Sequence, residues 1–207
     1  MSDISALDAD NYVGLASIDA KHRLVFFDRA GNITAQKGGY YRTESMTFPE
    51  EINWHAFDGK LVVRDDGKRM AVANLVTDQI EIYDGQGELI RLVKGPDHFD
   101  PDVMKTSQGG FGVFGYGEKA REAHIFPLAK KNGFWSIYSG KAVYREQSNS
   151  SDKFKVILSF DWDGKPLDKY IIQADVVNFD VDESRGLIYG IIMTEEGEQK
   201  IIKAKYK

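Results

Sequence analysis

The sequence predicts an all-β fold, a β-propeller of about four four-stranded antiparallel blades that form either a closed or an incomplete, open ring. Short runs rich in valine, isoleucine and aromatic residues alternate with glycine, aspartate and asparagine, which is typical of strands joined by tight turns. One hairpin signal recurs, as an aromatic residue, an aspartate, two further residues and a glycine, at residues 27–31, 83–87 and 160–164. Four strands per unit and a repeat near ~50 residues are typical of propeller blades.

We predict a single domain over residues 1–207, with blades at about 4–42, 55–96, 124–173 and 175–207. Apolar runs in the first blade predict strands at residues 12–18, 22–28 and 32–37. Only residues 4–7 remain to supply the innermost strand of that blade. The second blade has room for all four strands, which are predicted at residues 60–64, 69–75, 79–84 and 88–94.

The third blade is longer than the others, and its strands are predicted at residues 124–128, 134–139, 154–161 and 167–172. Asn132 and Gly133 favour a tight hairpin between its first two strands. The extra residues form a polar loop at 143–153 and an insertion at 101–123, which contains a tract of glycine and aromatic residues. Short helices are predicted at residues 49–57 and 118–124.

The fourth blade has predicted strands at residues 176–180, 187–193 and 199–206, and the sequence offers no fourth strand. In closed propellers the last blade is commonly completed by a strand from the other terminus. Residues 4–7 cannot serve both the first and the fourth blade fully. Because an uncompleted blade leaves unpaired backbone groups along an edge, we expect a protein partner or self-association through exposed blade edges.

Composition excludes several classes of function. The net charge is −5 and no basic stripe is present, so we expect no nucleic-acid binding. The absence of cysteine excludes thiol catalysis, disulfides and cysteine-ligated zinc. No apolar run approaches the ~18 residues of a membrane span. The first residues lack the basic and apolar regions of a signal peptide, which predicts a soluble protein as the sequence stands.

Four segments resemble the TolB-like six-bladed β-propeller family common in Bacteroidetes. They are residues 160–170, 80–84, 137–141, and 179–183 with 188–191. The resemblance implies that this chain corresponds to the last four blades of a longer propeller. Family members often carry an export or lipoprotein signal, so the compartment stays open, with the cell envelope or periplasm implied if the chain is truncated at its N-terminus. The family implies no established substrate or reaction.

The densest polar loop in the sequence spans residues 95–102. It follows the outer strand of the second blade, so we expect it to return toward the propeller axis and line the mouth of the channel. Its candidate ligand-binding residues are Asp97, His98, Asp100 and Asp102. A histidine among carboxylates could bind a cation or act as an acid/base pair. The alternative is a solvated connection between blades, shaped by its two prolines.

The glycine–aromatic tract supplies a second set of candidates. Aromatic side chains on flexible backbone could form an apolar lip over a pocket, and the residues concerned are Phe111, Phe114 and Tyr116. The string Gly110-x-Gly112-x-x-Gly115 matches a dinucleotide fingerprint, but no amphipathic helix follows it, as that motif requires. The alternative is a mobile or strand-like loop without a ligand.

No metal, cofactor or catalytic residue is predicted. Asp161 and Asp163 would supply two oxygens of the six or so that calcium needs, and no glutamate closes the loop. The four histidines are His22, His55, His98 and His124, and their spacing is not that of a zinc site. We therefore predict a non-catalytic binding or scaffold protein. The alternative is an enzyme that acts on a small molecule or glycan at the channel mouth, with or without a metal.

Overall fold

The computed structural model describes residues 3–16, 21–108, 111–144, 154–194 and 196–206. Over these ranges the chain forms four successive antiparallel sheets and a separate two-stranded ribbon. Strand order within each sheet follows the sequence, as expected when every neighbour is joined by a hairpin. The predicted all-β class with four-stranded antiparallel blades is confirmed.

The first sheet contains β1 (Ile4–Ala6), β2 (Asn11–Leu15), β3 (Leu24–Asp28) and β4 (Ile33–Lys37). The second sheet contains β5 (Gly59–Val63), β6 (Arg69–Asn74), β7 (Gln79–Asp84) and β8 (Leu89–Lys94). Between them, a 3-10 turn at Glu50–Ile52 leads into the short helix α1 (Asn53–Ala56). The helix predicted at residues 49–57 is thus confirmed.

The ribbon pairs β9 (Val103–Gln108) with β10 (Phe111–Tyr116). The third sheet contains β11 (His124–Lys130), β12 (Gly133–Tyr138), β13 (Val156–Asp161) and β14 (Pro166–Ile171). The fourth contains β15 (Val176–Asp182), β16 (Leu187–Met193) and β17 (Gln199–Lys205). Within the described residues this last sheet has three strands, in the order β15-β16-β17.

The helix predicted at residues 118–124 is wrong. Residues 118–119 form a turn, Arg121 bridges to Ala142, and β11 begins at His124. The local N–H groups bind distant acceptors: that of Lys119 donates to the Asp102 carboxylate and that of Glu122 donates to the carbonyl of Lys141. Tertiary hydrogen bonds therefore replace the i to i−4 bonds that a helix would need.

The recurring hairpins share one geometry. In each, the aspartate carboxylate accepts the N–H of the residue four positions later, and the glycine has a positive φ that side-chain-bearing residues rarely adopt. The acceptor distances are 2.9, 2.9 and 2.8 Å for Asp28, Asp84 and Asp161. The φ angles are 85°, 84° and 78° for Gly31, Gly87 and Gly164. The carboxylates close the turns, as turn chemistry predicts.

The core is divided among the gaps between neighbouring sheets. On β6, Met70 and Val72 pack toward the first sheet, whereas Ala71 and Ala73 pack toward the third. Side chains of a strand alternate between its two faces, so a sheet packed on both sides needs continuous apolar runs. The gap between the third and fourth sheets is filled in the same way, by residues such as Ile137 and Ile188.

Successive sheets meet at their inner strands. β1 contacts β5, β5 contacts β11, and β11 contacts β15. In the part of the chain that the structure describes, no strand of the first sheet packs against a strand of the fourth sheet as closely as these neighbouring strands do. β1 pairs with β2 in the first sheet, so it is not the outer strand of the fourth sheet.

Candidate functional site: the 95–102 loop and the edge of β17

Asp78 organises the polar loop that follows β8. Its side chain is fully buried, and its Oδ2 accepts the backbone N–H groups of Asp97 at 2.7 Å and His98 at 2.6 Å. The backbone N–H of Asp78 donates to the carbonyl of Phe99, and the carbonyl of Asp78 accepts the N–H of Gly95. A Cβ on Gly95 would meet the carboxylate of Asp78, so only glycine allows this close approach.

The four polar candidates contact different parts of the protein. Asp97 pairs with Arg121 at 2.8 Å, and His98 is exposed with a φ of 53°. Asp100 accepts the hydroxyls of Thr43 and Ser45. Asp102 accepts the N–H of Lys119 at 2.8 Å. The structure therefore uses the three carboxylates to tie the loop to its surroundings, and a ligand role for them stays a prediction.

Two of the aromatic candidates on the ribbon, Phe114 and Tyr116, lie against α1. Phe114 packs edge-on against Trp54 at a centroid distance of 5.3 Å, and Tyr116 stacks on His55 at 4.8 Å. Phe111 begins β10, where its backbone pairs with Gln108. Phe114 keeps 38% of its surface exposed. The ribbon is thus anchored to the helix, and the apolar lip also stays a prediction.

Sequence reasoning missed a buried polar cluster beneath the loop. His124 is fully buried, its Nδ1 lies 2.9 Å from the hydroxyl of Ser136, and its Nε2 lies 3.8 Å from Asp78 Oδ1. Burial lowers the pKa of His124 to about 3 and raises the pKa of Asp78. Burial is also the main cause of the raised pKa of Tyr138. The ring of Tyr138 is tilted against that of His124, with 5.1 Å between the ring centroids. At neutral pH His124 is therefore uncharged.

We expect stability to fall as pH falls from 7 to 5 because of His124. The unfolded chain binds a proton on this imidazole near pH 6.5, while the native protein, with a pKa of about 3, does not. Because the unfolded state holds more protons, the free energy of unfolding is lower by about 2 kcal/mol at pH 5 than at pH 7. The raised pKa of Asp78 acts in the opposite direction, since the native carboxyl takes up its proton first.

Urea unfolding at the two pH values measures this difference. The control is His124→Gln, which keeps a polar side chain but cannot titrate. Between pH 7 and pH 5 this variant should lose about 2 kcal/mol less unfolding free energy than the wild type. An unchanged pH dependence in this variant would contradict the assignment to His124.

The exposed strand β17 differs from the third strands of the other sheets. β3, β7 and β13 are mostly buried, whereas β17 is mostly exposed. Ile201 has 78% of its surface exposed, and lysines occupy positions 200, 203 and 205. Within the described ranges no strand pairs with its outer side.

The hydrogen bonds to β16 fix which backbone groups of β17 face outward. The N–H of Tyr206 donates to the carbonyl of Gly186 at one end, and the N–H of Thr194 donates to the carbonyl of Glu198 at the other. Antiparallel pairs alternate, so even-numbered residues of β17 bond to β16. The odd-numbered residues 199, 201, 203 and 205 therefore direct their N–H and C=O groups to the open edge.

Two open clefts lie at hairpin turns between first and second strands, and one of them also includes an Asp-x-x-Gly turn. One, of about 790 Å³, lies between the β11–β12 turn and residues 180–185. The other, of about 630 Å³, lies between the first two sheets. None of the predicted ligand residues lines either cleft.

Two further features bear on function. Among the residues placed by the structure, no group of three or more His, Asp or Glu side chains is arranged to hold a metal ion. The described helices also include none that is long and apolar enough to cross a membrane.

Successive antiparallel sheets are packed face to face, and Asp-x-x-Gly hairpins join the third and fourth strands of the first three sheets. This arrangement defines a β-propeller-class protein. The sequence model of the TolB-like 6-blade propeller-like family matches residues 4–184, and the chain belongs to this family. The resemblance drawn from the sequence is thus confirmed. Strand β17 lies beyond the matched residues.

No curated protein matches the chain. Among solved structures, BamB from Moraxella catarrhalis is similar, with 14% sequence identity and a TM-score of 0.43. The match covers 97% of this chain and 56% of that chain, so the present sequence spans a little over half the length of the BamB structure.

Proposed function

We propose that this protein is a non-catalytic binding or scaffold propeller that pairs the open edge of β17 with an extended strand of another molecule. The observation that supports this proposal is the outward row of backbone groups at residues 199, 201, 203 and 205, next to the exposed Ile201. Strand addition to a sheet edge draws its affinity from main-chain hydrogen bonds and its specificity from alternate side chains.

The 95–102 loop supports a scaffold role better than the enzyme alternative. Asp97, Asp100 and Asp102 each contact a different segment, so they rigidify the loop rather than converge on one reacting atom. Enzyme sites need acid and base groups within hydrogen-bond reach of the same position. A second copy of the chain is an alternative partner for the edge, because two open strands can pair with each other.

Amide hydrogen exchange during titration with short extended peptides tests the proposal. We expect slower exchange at Ile201 and Lys203, whose N–H groups face outward. A matched control is Lys169 on β14, which is also an exposed edge strand. The N–H of Ile172 donates to the carbonyl of Lys155 on the inner side of β14. Because the bonding side alternates along the strand, the N–H of Lys169 faces outward. Equal protection at Lys169, or none on β17 with any peptide, would contradict the proposal.

Light scattering tests the self-association form of the same function. If the edges of two copies pair, the apparent mass should rise with protein concentration, and Lys203→Pro should prevent the rise. Proline removes an outward N–H and is tolerated at sheet edges. Lys169→Pro is the matched control on β14. A strict monomer at high concentration would leave only a different protein as the partner.

A further inference from the structure

The lysines of β17 select its partner, an inference that rests on the proposed edge function. We infer that the edge takes an acidic extended segment of another protein in preference to a second copy of this chain. The seven residues of β17 include three lysines and no acidic residue. The corresponding strands β3, β7 and β13 include aspartate or glutamate and no lysine or arginine.

Two of the lysines are available for a partner. Lys200 lies 3.5 Å from Glu198 of the same hairpin. Lys203 and Lys205 form no ion pair with any residue that the structure describes. The chain as a whole carries a net charge of −5, so this strand is a local positive feature on an acidic protein. Such a feature favours a partner of opposite charge.

The residues of β17 whose backbone groups face the open edge also have exposed side chains. Residues 201, 203 and 205 direct their N–H groups outward and also place their side chains on the exposed face of the sheet. On the other face, Ile202 and Tyr206 pack against the core between the third and fourth sheets. A strand added antiparallel would therefore place successive alternate side chains opposite Lys205, Lys203 and Ile201.

This register specifies the chemistry of the partner. An acidic residue is favoured opposite each lysine, and an apolar residue is favoured opposite Ile201. In the partner the pattern is acidic, any residue, acidic, any residue, apolar. A second copy of β17 would instead place the three lysines of each chain on strands about 4.8 Å apart. Like charges at that distance oppose pairing, and lysine commonly protects edge strands in this way.

Two synthetic peptides test the inference by fluorescence anisotropy at low salt. The first is Thr-Glu-Thr-Glu-Thr-Val-Thr, and the second carries lysine in place of both glutamates. We expect the acidic peptide to bind at least tenfold more tightly than the basic one. The preference should reverse in the double variant Lys203→Glu with Lys205→Glu. The matched control Lys169→Glu on β14 should leave both affinities unchanged.

Each outcome has a separate meaning. Equal or stronger binding of the basic peptide would overturn the charge inference while the edge function stands. Binding of neither peptide would overturn both. A wild-type protein that dimerises through β17 would also overturn the inference, because the lysines would then fail to exclude a second copy. Melting temperatures of all variants identify any loss of affinity caused by misfolding.

Discussion

Replacing Glu81 with alanine is expected to lower the free energy of unfolding by about 3–5 kcal/mol. Glu81 and Arg23 form a fully buried ion pair between the second and first sheets, with 3.1 Å between Arg23 Nε and Glu81 Oε2. Arg23 also donates to Asn74 at 2.8 Å, and Tyr83 donates to Glu81 at 2.7 Å. The variant leaves the guanidinium in the core without its counter-charge, which is the costly state of a broken buried pair.

Urea unfolding with two control variants checks this expectation. Lys37→Ala removes an exposed ion pair with Glu88 that joins the same two sheets, and such pairs contribute about 0–1 kcal/mol. Arg23→Met combined with Glu81→Leu removes both charges together, so the double variant should be more stable than Glu81→Ala alone. A loss below about 1 kcal/mol for Glu81→Ala would contradict the importance of the pair.

Replacing Asp78 with alanine is expected to cost roughly 3 kcal/mol, because two backbone donors of the 95–102 loop lose one acceptor. Those donors are the N–H groups of Asp97 and His98. His98 holds a positive φ that is unfavourable without such support. We therefore expect the loop to loosen along with the loss of stability.

Hydrogen exchange at the amides of Asp97 and His98, together with urea unfolding, measures both effects. The matched control is Asp97→Ala, which removes a half-exposed carboxylate and its pair with Arg121 but keeps the buried acceptor. That variant should cost no more than about 1 kcal/mol. If the two variants behave alike, Asp78 does not organise the loop.

The repeated hairpins show how far local sequence reaches. The Asp-x-x-Gly turns, nearly all strands and the short helix before β5 follow from periodicity and turn chemistry, because their interactions join residues close in sequence. The predicted helix at 118–124 failed for the opposite reason. Its N–H groups bind Asp102 and Lys141, which no local pattern indicates.

The candidate site divides in the same way. The sequence marked the loop as polar and the ribbon as aromatic, but it could not show that the carboxylates contact separate segments. It marked β17 as the last strand of an uncompleted blade. Which of its residues face the open edge depends on the register with β16, which hydrogen bonds across the hairpin define.

By itself, the sequence determined the all-β class and the repeated hairpins, since these depend on alternation and turns within a few residues. Only the tertiary structure decided which polar residues are buried together. Arg23 meets Glu81 across 58 positions, and Asp78 lies 3.8 Å from His124 in the second buried cluster. A buried charge persists only where a distant partner offsets the cost of removing it from water, and sequence spacing carries no record of that partner.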